Sequence, residues 1–381
     1  MSKIKDSVLY HVAFEPQSGV WSMIKNLIKE QVSTGYHSSC VIYYSDKNYY
    51  DWIVKETGAE GIVVHFIKVK QSRFARLLIL FNSGLSRWIN SENKDKDVTI
   101  LLTYHDAHFS GSYLPFALKN RSSSLIIFHG CPNGLIHSNY LKLIIHWFFN
   151  FLLVFSKGRF ITVSDKDIEL IRNKLFLPKS HFKTIYNGVP NATVIEKVKN
   201  KKDFVVGFIG TLDTRKQWWI AVDAVKEANK HDENIILKIA GDGPDSVLLE
   251  VKIANNPSFY NYVGKISDPI NNFYQDVDLI IMTSSLEGLP MVILEAFSLG
   301  IPVISTAVGG IPEVINNGFN GYLIDENPVS IGDQIAYLSN NPDEMALLSK
   351  NALSSFESNF TIKKCSDNYL ETFRLNRINV K

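Results

Sequence analysis

Two carboxylates eight residues apart, Glu287 and Glu295, are the most chemically informative feature of this 381-residue chain. They stand in Ser284-Ser285-Leu286-Glu287-Gly288-Leu289-Pro290-Met291-Val292-Ile293-Leu294-Glu295-Ala296. An apolar run ends near Thr283 and a glycine-containing loop follows. Pro290 then stands where a helix accepts a first-turn proline. The helix is expected to run to Gly300, a natural C-terminal stop, with Pro302 beyond it. Met291, Val292, Ile293, Leu294, Ala296, Phe297 and Leu299 make it apolar nearly all round. Glu295 in such a helix is costly to bury without partners, and sugar hydroxyls, ribose above all, would supply donors. The plainer alternative is a glutamate satisfied by backbone or by a salt bridge. Glu287 sits on the loop at the mouth of the helix. The amides of Met291 and Val292 are free of intrahelical partners and lie at the positive end of the dipole, which suits a diphosphate.

The cations for such a ligand are sought in Gly207-Phe208-Ile209-Gly210-Thr211-Leu212-Asp213-Thr214-Arg215-Lys216. This reads as strand, loop and then a helix starting near Thr214. Arg215 and Lys216 at a helix N-terminus oppose the macrodipole, and an anionic ligand would justify them. Two solvated surface cations are the competing reading. Neither GxGxxG nor GxxxxGK[ST] is present, so the loop is no dinucleotide fingerprint and no Walker loop. Gly241-Asp242-Gly243-Pro244 and Gly309-Gly310-Ile311-Pro312-Glu313 each follow a strand and read as turns leading into helices, which plain turn chemistry would also explain. In the first half, Gly19 opens a helix, where a missing side chain admits a ligand. His129-Gly130 follows an apolar strand. Asp106, between His105 and His108, is a weaker candidate.

Short apolar β-rich runs alternate with helical patterns throughout. The expected strands are Ser7–Phe14, Ser39–Tyr44, Gly61–Ile67, Val98–Thr103, Ser124–Phe128 and Arg159–Val163, then Phe204–Ile209, Ile235–Ala240, Phe259–Val263, Leu279–Thr283, Pro302–Thr306 and Gly321–Ile324. Helices such as Val20–Thr34 and Arg73–Asn90 fall between them. This alternation of near-continuous apolar strands with helices predicts an α/β fold with parallel sheets covered on both faces. A polar stretch at 189–202 divides the chain. The expected organisation is a doubly wound domain over 1–188, a linker, and a second over 203–360. A C-terminal helix at 361–381 would return to the first. Ligands of such sheets sit at the carboxyl ends of the strands, so a cleft between two facing domains is the expected site.

Composition fits this division. The chain is too long for one core, and 45% hydrophobic with 20% charged residues describes an ordinary globular protein. Cys40, Cys131 and Cys365 are far apart and form no metal or disulfide pattern, which points to a reducing compartment. The opening residues lack a signal-peptide pattern and read as the lead-in to a buried strand. The net charge is +2 but uneven. Residues 1–188 hold 23 Lys+Arg against 14 Asp+Glu, and the remainder 17 against 24. The first half is thus expected to meet something anionic. No nucleic-acid motif appears.

The Glu287-x7-Glu295 pattern within SLEGLPMVILEAFSLGIPVISTAVGGIPEVI resembles the signature of the family 4, or group 1, retaining glycosyltransferases of GT-B fold. IGTLDTRK, AGDGP, YVGKI, DVDLIIMTS and NGYLI occur around it in that family's order. SGV, IIFHG, ITVS and IYNGV add a looser likeness in the first half. The resemblance implies that Glu295 holds the ribose hydroxyls and that Glu287 contacts the donor sugar. Lys216 would pair with the diphosphate, and the amides about Met291 and Val292 would cradle oxygens. It places Gly19 near the diphosphate and His129 near the donor sugar, and brings Gly288, Leu289 and Ile266, the last residue of YVGKI, into the donor site. Glu287, His129 and Lys216 would then be the catalytic set. Two positions depart from the pattern: Thr211 stands where the family usually has Arg, and Gln217 where it prefers Gly. Arg215 is the candidate to replace the missing cation.

The implied reaction moves a sugar from a nucleoside diphosphate to a saccharide or lipid-linked saccharide, as in cell-envelope polysaccharide assembly, with retention of configuration. Negative charge grows on the departing phosphate, and Lys216 with the helix N-terminus would stabilise it. Cations and backbone amides can take the place of a metal at a departing diphosphate, so no metal and no cofactor are expected. A cytoplasmic location is expected, with peripheral contact to the inner membrane face through two stretches. Leu141–Phe155 is very apolar yet too short to span a bilayer. Lys68–Ile89 has the look of a basic amphipathic helix. Both could instead be ordinary sheet-covering helices. The rival functions are a nucleotide-sugar epimerase, for which the EGLP loop has no evident use, and a two-domain ligand-binding protein of the periplasmic kind.

Overall fold

The structure, a computed structural model, describes residues 8–14, 16, 18–68, 98–104, 124–129, 159–175, 178–192, 203–230 and 234–378. The stretches Leu141–Phe155 and 69–89, and the residues His105, Asp106, His108, Gly130 and Cys131, lie outside them. The chain divides into two compact units. One comprises Met1–Gly188 with Ile362–Lys381, and the other Val189–Thr361.

In the first unit, β1 (Val8–Phe14), β2 (His37–Tyr44), β3 (Val64–Lys68), β4 (Val98–Tyr104), β5 (Ser124–Phe128), β6 (Arg159–Thr162) and β7 (Phe182–Thr184) form one sheet in the order β3-β2-β1-β4-β5-β6-β7. Every pairing is parallel. Helices α1 (Ser18–Ser33), α2 (Lys47–Glu60) and α3 (Asp165–Leu175) link strands, as parallel pairing requires. β1 and β2 are covered on both faces: Leu9, Val12, Val41 and Ile42 are all buried, as are the polar His11, Ser38 and Ser39. β7 has no counterpart among the expected strands. Its three residues are only half-buried on the sheet edge and carry a lysine, so no apolar run marks them.

In the second unit, β8 (Phe204–Ile209), β9 (Ile235–Ala240), β10 (Tyr260–Tyr262), β11 (Leu279–Met282), β12 (Val303–Thr306) and β13 (Gly321–Ile324) run in the order β10-β9-β8-β11-β12-β13, again all parallel. Counted from β8 this is 3-2-1-4-5-6, the doubly wound order whose reversal lies between β8 and β11. The helices are α4 (Trp218–Ala228), α5 (Ser246–Ile253), the single turn α6 (Pro269–Asn272), α7 (Met291–Ser298), α8 (Pro328–Ser339) and α9 (Pro342–Asn359). A large core joins α4 and α8 to the sheet through residues such as Val225, Leu237, Ile281, Ile304 and Ile335. Val189, in the stretch read as a linker, makes a parallel bridge to Thr361, and its amide donates to the Phe360 carbonyl at 3.0 Å.

The last helix, α10 (Ile362–Ile378), belongs to the first unit. Its Leu370 packs with Leu9 and Tyr36. Three local expectations need correction. The helix expected near Thr214 begins at Trp218. α7 ends at Ser298, with Pro290 as its cap residue and Gly300 at φ 67° just beyond. The segment after Gly309-Gly310 is one 3-10 turn, Ile311–Glu313, not an α-helix.

Candidate functional site

The loops after β8 and β11 meet at the strand-order reversal, and they carry Lys216 and Glu287. Lys216 Nζ lies 2.5 Å from Glu287 Oε1. The pair is shielded, with side chains 18% and 13% exposed, so it is unlike an ordinary surface ion pair. Short polar contacts staple the two loops together. The Ser285 amide donates to the Arg215 carbonyl at 2.8 Å. The Thr283 hydroxyl donates to the carbonyls of Lys216 and Gln217, both at 3.0 Å. Lys216 is thereby placed by its backbone as well as by its counterion. The lysine stem runs past Gly210, where an added Cβ would sit 3.5 Å from Lys216 Cε, in ordinary van der Waals contact.

The delayed start of α4 has a local cause. Asp213 Oδ1 accepts from the amides of Arg215 and Lys216 at 3.0 and 3.2 Å, which closes a turn before the helix can begin. Gln217 then adopts the left-handed conformation, φ 45° and ψ 40°, and is the residue from which α4 departs. This is the position at which glycine was expected. Arg215 is exposed, and its guanidinium is held by Asp213 Oδ2, from Nη2 at 2.7 Å and from Nε at 3.2 Å. Thr211 is exposed on the same loop.

Backbone packing shapes the floor. Gly309, at φ 55°, lies against the Glu287 loop so closely that a Cβ would come within 1.9 Å of the Glu287 carbonyl oxygen. The neighbouring Gly310 amide donates to the Gly288 carbonyl at 2.8 Å. Gly241, at φ 143°, approaches the Gly210 carbonyl in the same way, with a Cβ separation of 1.8 Å. Both glycine turns are therefore steric requirements of the site, not only chain reversals. Leu289 and Met291 are buried, Val292 and Ile266 half-buried. No side chain caps the first turn of α7.

Glu295 lies on α7 and accepts a hydrogen bond at Oε2 from the Tyr274 hydroxyl at 2.9 Å. Its residue surface is partly open, yet its carboxyl is enclosed enough that burial raises its pKa, and the Tyr274 bond opposes that rise. Tyr274 itself is driven well above the ordinary phenol range, first by burial and then by the Glu295 charge. The sequence offered no sign of this tyrosine or of the Thr283 and Ser285 staples, because none carries a charge or a distinctive spacing. Among the described residues, no group of three or more His, Cys, Asp and Glu could hold a metal ion, and no helix is long and apolar enough to cross a membrane.

Two further candidates belong to the first unit. Gly19 is exposed in the opening turn of α1, after β1. His129 is half-buried and immediately follows Phe128 at the carboxyl end of β5.

Residues 192–354 match the family described as glycosyl transferases group 1. An uncharacterized glycosyltransferase of Methanocaldococcus jannaschii is 27% identical over 359 residues, covering 91% of this chain and 92% of its own. A putative colanic acid biosynthesis glycosyltransferase of Escherichia coli is 27% identical over 168 residues, 40% of each chain. Among solved structures, the Anabaena protein HepE in complex with UDP superposes with a TM-score of 0.74 at 16% identity, covering 96% of this chain and 99% of that one. The last likeness is one of fold.

Proposed function

We propose that this chain, whose residues 192–354 match the family described as glycosyl transferases group 1 and whose fold is GT-B, carries out a retaining transfer of a sugar from a nucleoside diphosphate to a saccharide or lipid-linked saccharide. The observation that carries this reading is the shielded Lys216–Glu287 pair at the strand-order reversal of the second unit. Lys216 is already desolvated and held by two stapled loops. An incoming diphosphate takes over its ammonium, and Glu287, released from that partner, is free to accept from hydroxyls of the donor sugar. Glu295 accepts from the ribose. As the anomeric C–O bond breaks, the electron pair leaves with the diphosphate, the acceptor's hydroxyl oxygen bonds to the anomeric carbon, and its proton passes to the released diphosphate. Lys216 and the uncapped first turn of α7 stabilise that growing charge in place of a metal. Arg215 supplies a second positive charge once it leaves Asp213. Gly19 and His129 are the first unit's candidates for contacts with a diphosphate and a donor sugar, on the strength of the family resemblance alone. The relative named for colanic acid biosynthesis supports a cell-envelope polysaccharide as the product class. The excess of Lys and Arg over Asp and Glu in residues 1–188, 23 against 14, supports a cytoplasmic enzyme that meets its acceptor at the anionic inner membrane face.

Thermal-shift measurements with UDP, GDP and ADP, then with their sugars, test the donor class. UDP is tried first because HepE binds it. One of the three is expected to raise the unfolding temperature. Glu295→Gln should weaken that nucleotide by about tenfold or more, the scale of a hydrogen bond to a charged group, with little change in the stability of the free protein. Stabilisation by none of the three nucleotides overturns the donor assignment. A Glu295→Gln protein that is destabilised yet binds normally returns Glu295 to a structural role.

A further inference from the structure

Glu295 does not stand alone. Its Oε2 is occupied by the hydroxyl of Tyr274, which is 1% exposed. Tyr274 lies in a 3-10 turn, Tyr274–Asp276, between α6 and β11. That turn is held from β9 by Lys238, a lysine only 7% exposed. Lys238 Nζ donates to the Phe273 carbonyl at 3.1 Å and to the Asn272 carbonyl at 3.4 Å, and pairs with Asp276 Oδ1 at 2.6 Å. Its charge also lies 5.2 Å from the centre of the Phe273 ring. Burying a lysine this deeply is expensive. Here it engages three acceptors that bracket Tyr274, two carbonyls just before the turn and Asp276 at its end, and the Tyr274 phenol grips the carboxylate on α7.

We propose that Tyr274 and Lys238 are positioning residues for the donor ribose: Tyr274 fixes Oε2 of Glu295 and so reserves Oε1 for a ribose hydroxyl, and Lys238 fixes the turn that carries Tyr274. This rests on reading Glu295 as the ribose-binding group. A carboxylate anchored at one oxygen cannot rotate freely about its terminal torsion, so the acceptor that remains has a set direction. Orientation of this kind converts a general hydrogen-bonding group into one that distinguishes a ribose from a deoxyribose. Tyr274 also lends the carboxylate a donor in an enclosed setting, which favours its ionised, accepting form.

Tyr274→Phe removes one oxygen atom and keeps the ring. In the full chain, affinities are measured for whichever of UDP, GDP and ADP binds best, for its 2′-deoxy and 3′-deoxy counterparts, and for inorganic pyrophosphate. The wild type is expected to prefer the ribonucleotide over at least one deoxy form. Tyr274→Phe should cut ribonucleotide affinity about tenfold, the scale of one oriented hydrogen bond, change the deoxy forms little, and leave pyrophosphate binding unaltered. Lys238→Met should shrink the same ribose preference to a smaller degree. A folded Tyr274→Phe protein with the wild-type preference overturns the proposal, as does equal weakening of all ligands, pyrophosphate included. Glu295→Gln separates the two levels. If it abolishes the preference while Tyr274→Phe does not, only the positioning role falls. If it too leaves the preference intact, the ribose reading of Glu295 falls with it.

Discussion

At the scale of single residues, the site is a set of charges whose partners in the free protein define what a ligand must replace. Lys216 holds Glu287 at 2.5 Å, and Glu295 holds the Tyr274 hydroxyl at 2.9 Å, so neither carboxylate is idle before a donor arrives. Lys216 matters most in the transition state, where the leaving diphosphate gains charge. Lys216→Met should therefore lower kcat by about 10²–10³, equivalent to roughly 2.7–4 kcal/mol of barrier. Nucleotide affinity should fall less than kcat. Steady-state kinetics with the donor found by thermal shift check this, and an equal loss in both would make Lys216 a ground-state binding group only. The sequence marks Lys216, Glu287 and Glu295 by their charge and their positions beside strand ends. It could not show that Lys216 and Glu287 would pair, because 71 residues separate them and only strand order brings them together.

At the scale of elements, the β8–α4 connection carries the clearest tension between sequence and backbone. Gln217 is the only described non-glycine residue with positive φ, and its side-chain Oε1 is buried without a hydrogen-bond partner. A left-handed conformation costs a residue with a Cβ about 1–2 kcal/mol, which glycine avoids. Gln217→Gly should accordingly stabilise the second unit by about 1 kcal/mol, or roughly 2–4 °C for a unit of this size. The substitution forgoes the exposed bond from Gln217 Nε2 to Glu326, at 3.2 Å. Thermal unfolding followed by near-UV circular dichroism reads the shift. A fall in stability would mean that this turn relaxes without help from glycine. The helix expected at Thr214 failed for a related reason: the carboxylate of Asp213 captures the first amides in a turn, a local competition that apolar periodicity does not register.

At the scale of the whole molecule, the chain leaves its first unit near Gly188 and returns to it at Ile362. The returning helix is part of that unit's core. Tyr369, Leu370 and Phe373 are buried, and Leu370 packs on Leu9 and Tyr36. Ending the chain after Thr361 should therefore destabilise the first unit by more than about 3 kcal/mol, the scale of losing several buried side chains. The second unit should be nearly unaffected. Hydrogen exchange checks this directly: protection should fall in β1, β2 and α1 and persist in β8 to β13. Uniform loss across both sheets would show instead that the two units unfold as one.

The sequence by itself determined the α/β class, most of the strands and the group 1 signature. These depend on local periodicity and on short motifs, which are written in contiguous residues. β8, β9 and β13 coincide with their expected spans, since each is a bounded apolar run. Tertiary structure alone decided the rest: the edge strand β7, the Lys216–Glu287 pair, the stapling of two loops, and the Lys238–Tyr274 support beneath Glu295. Each of these joins residues that are distant along the chain. Strand β7 follows from its place at the edge of the first sheet, and the others from the strand order β10-β9-β8-β11-β12-β13, properties of packing that no single segment encodes.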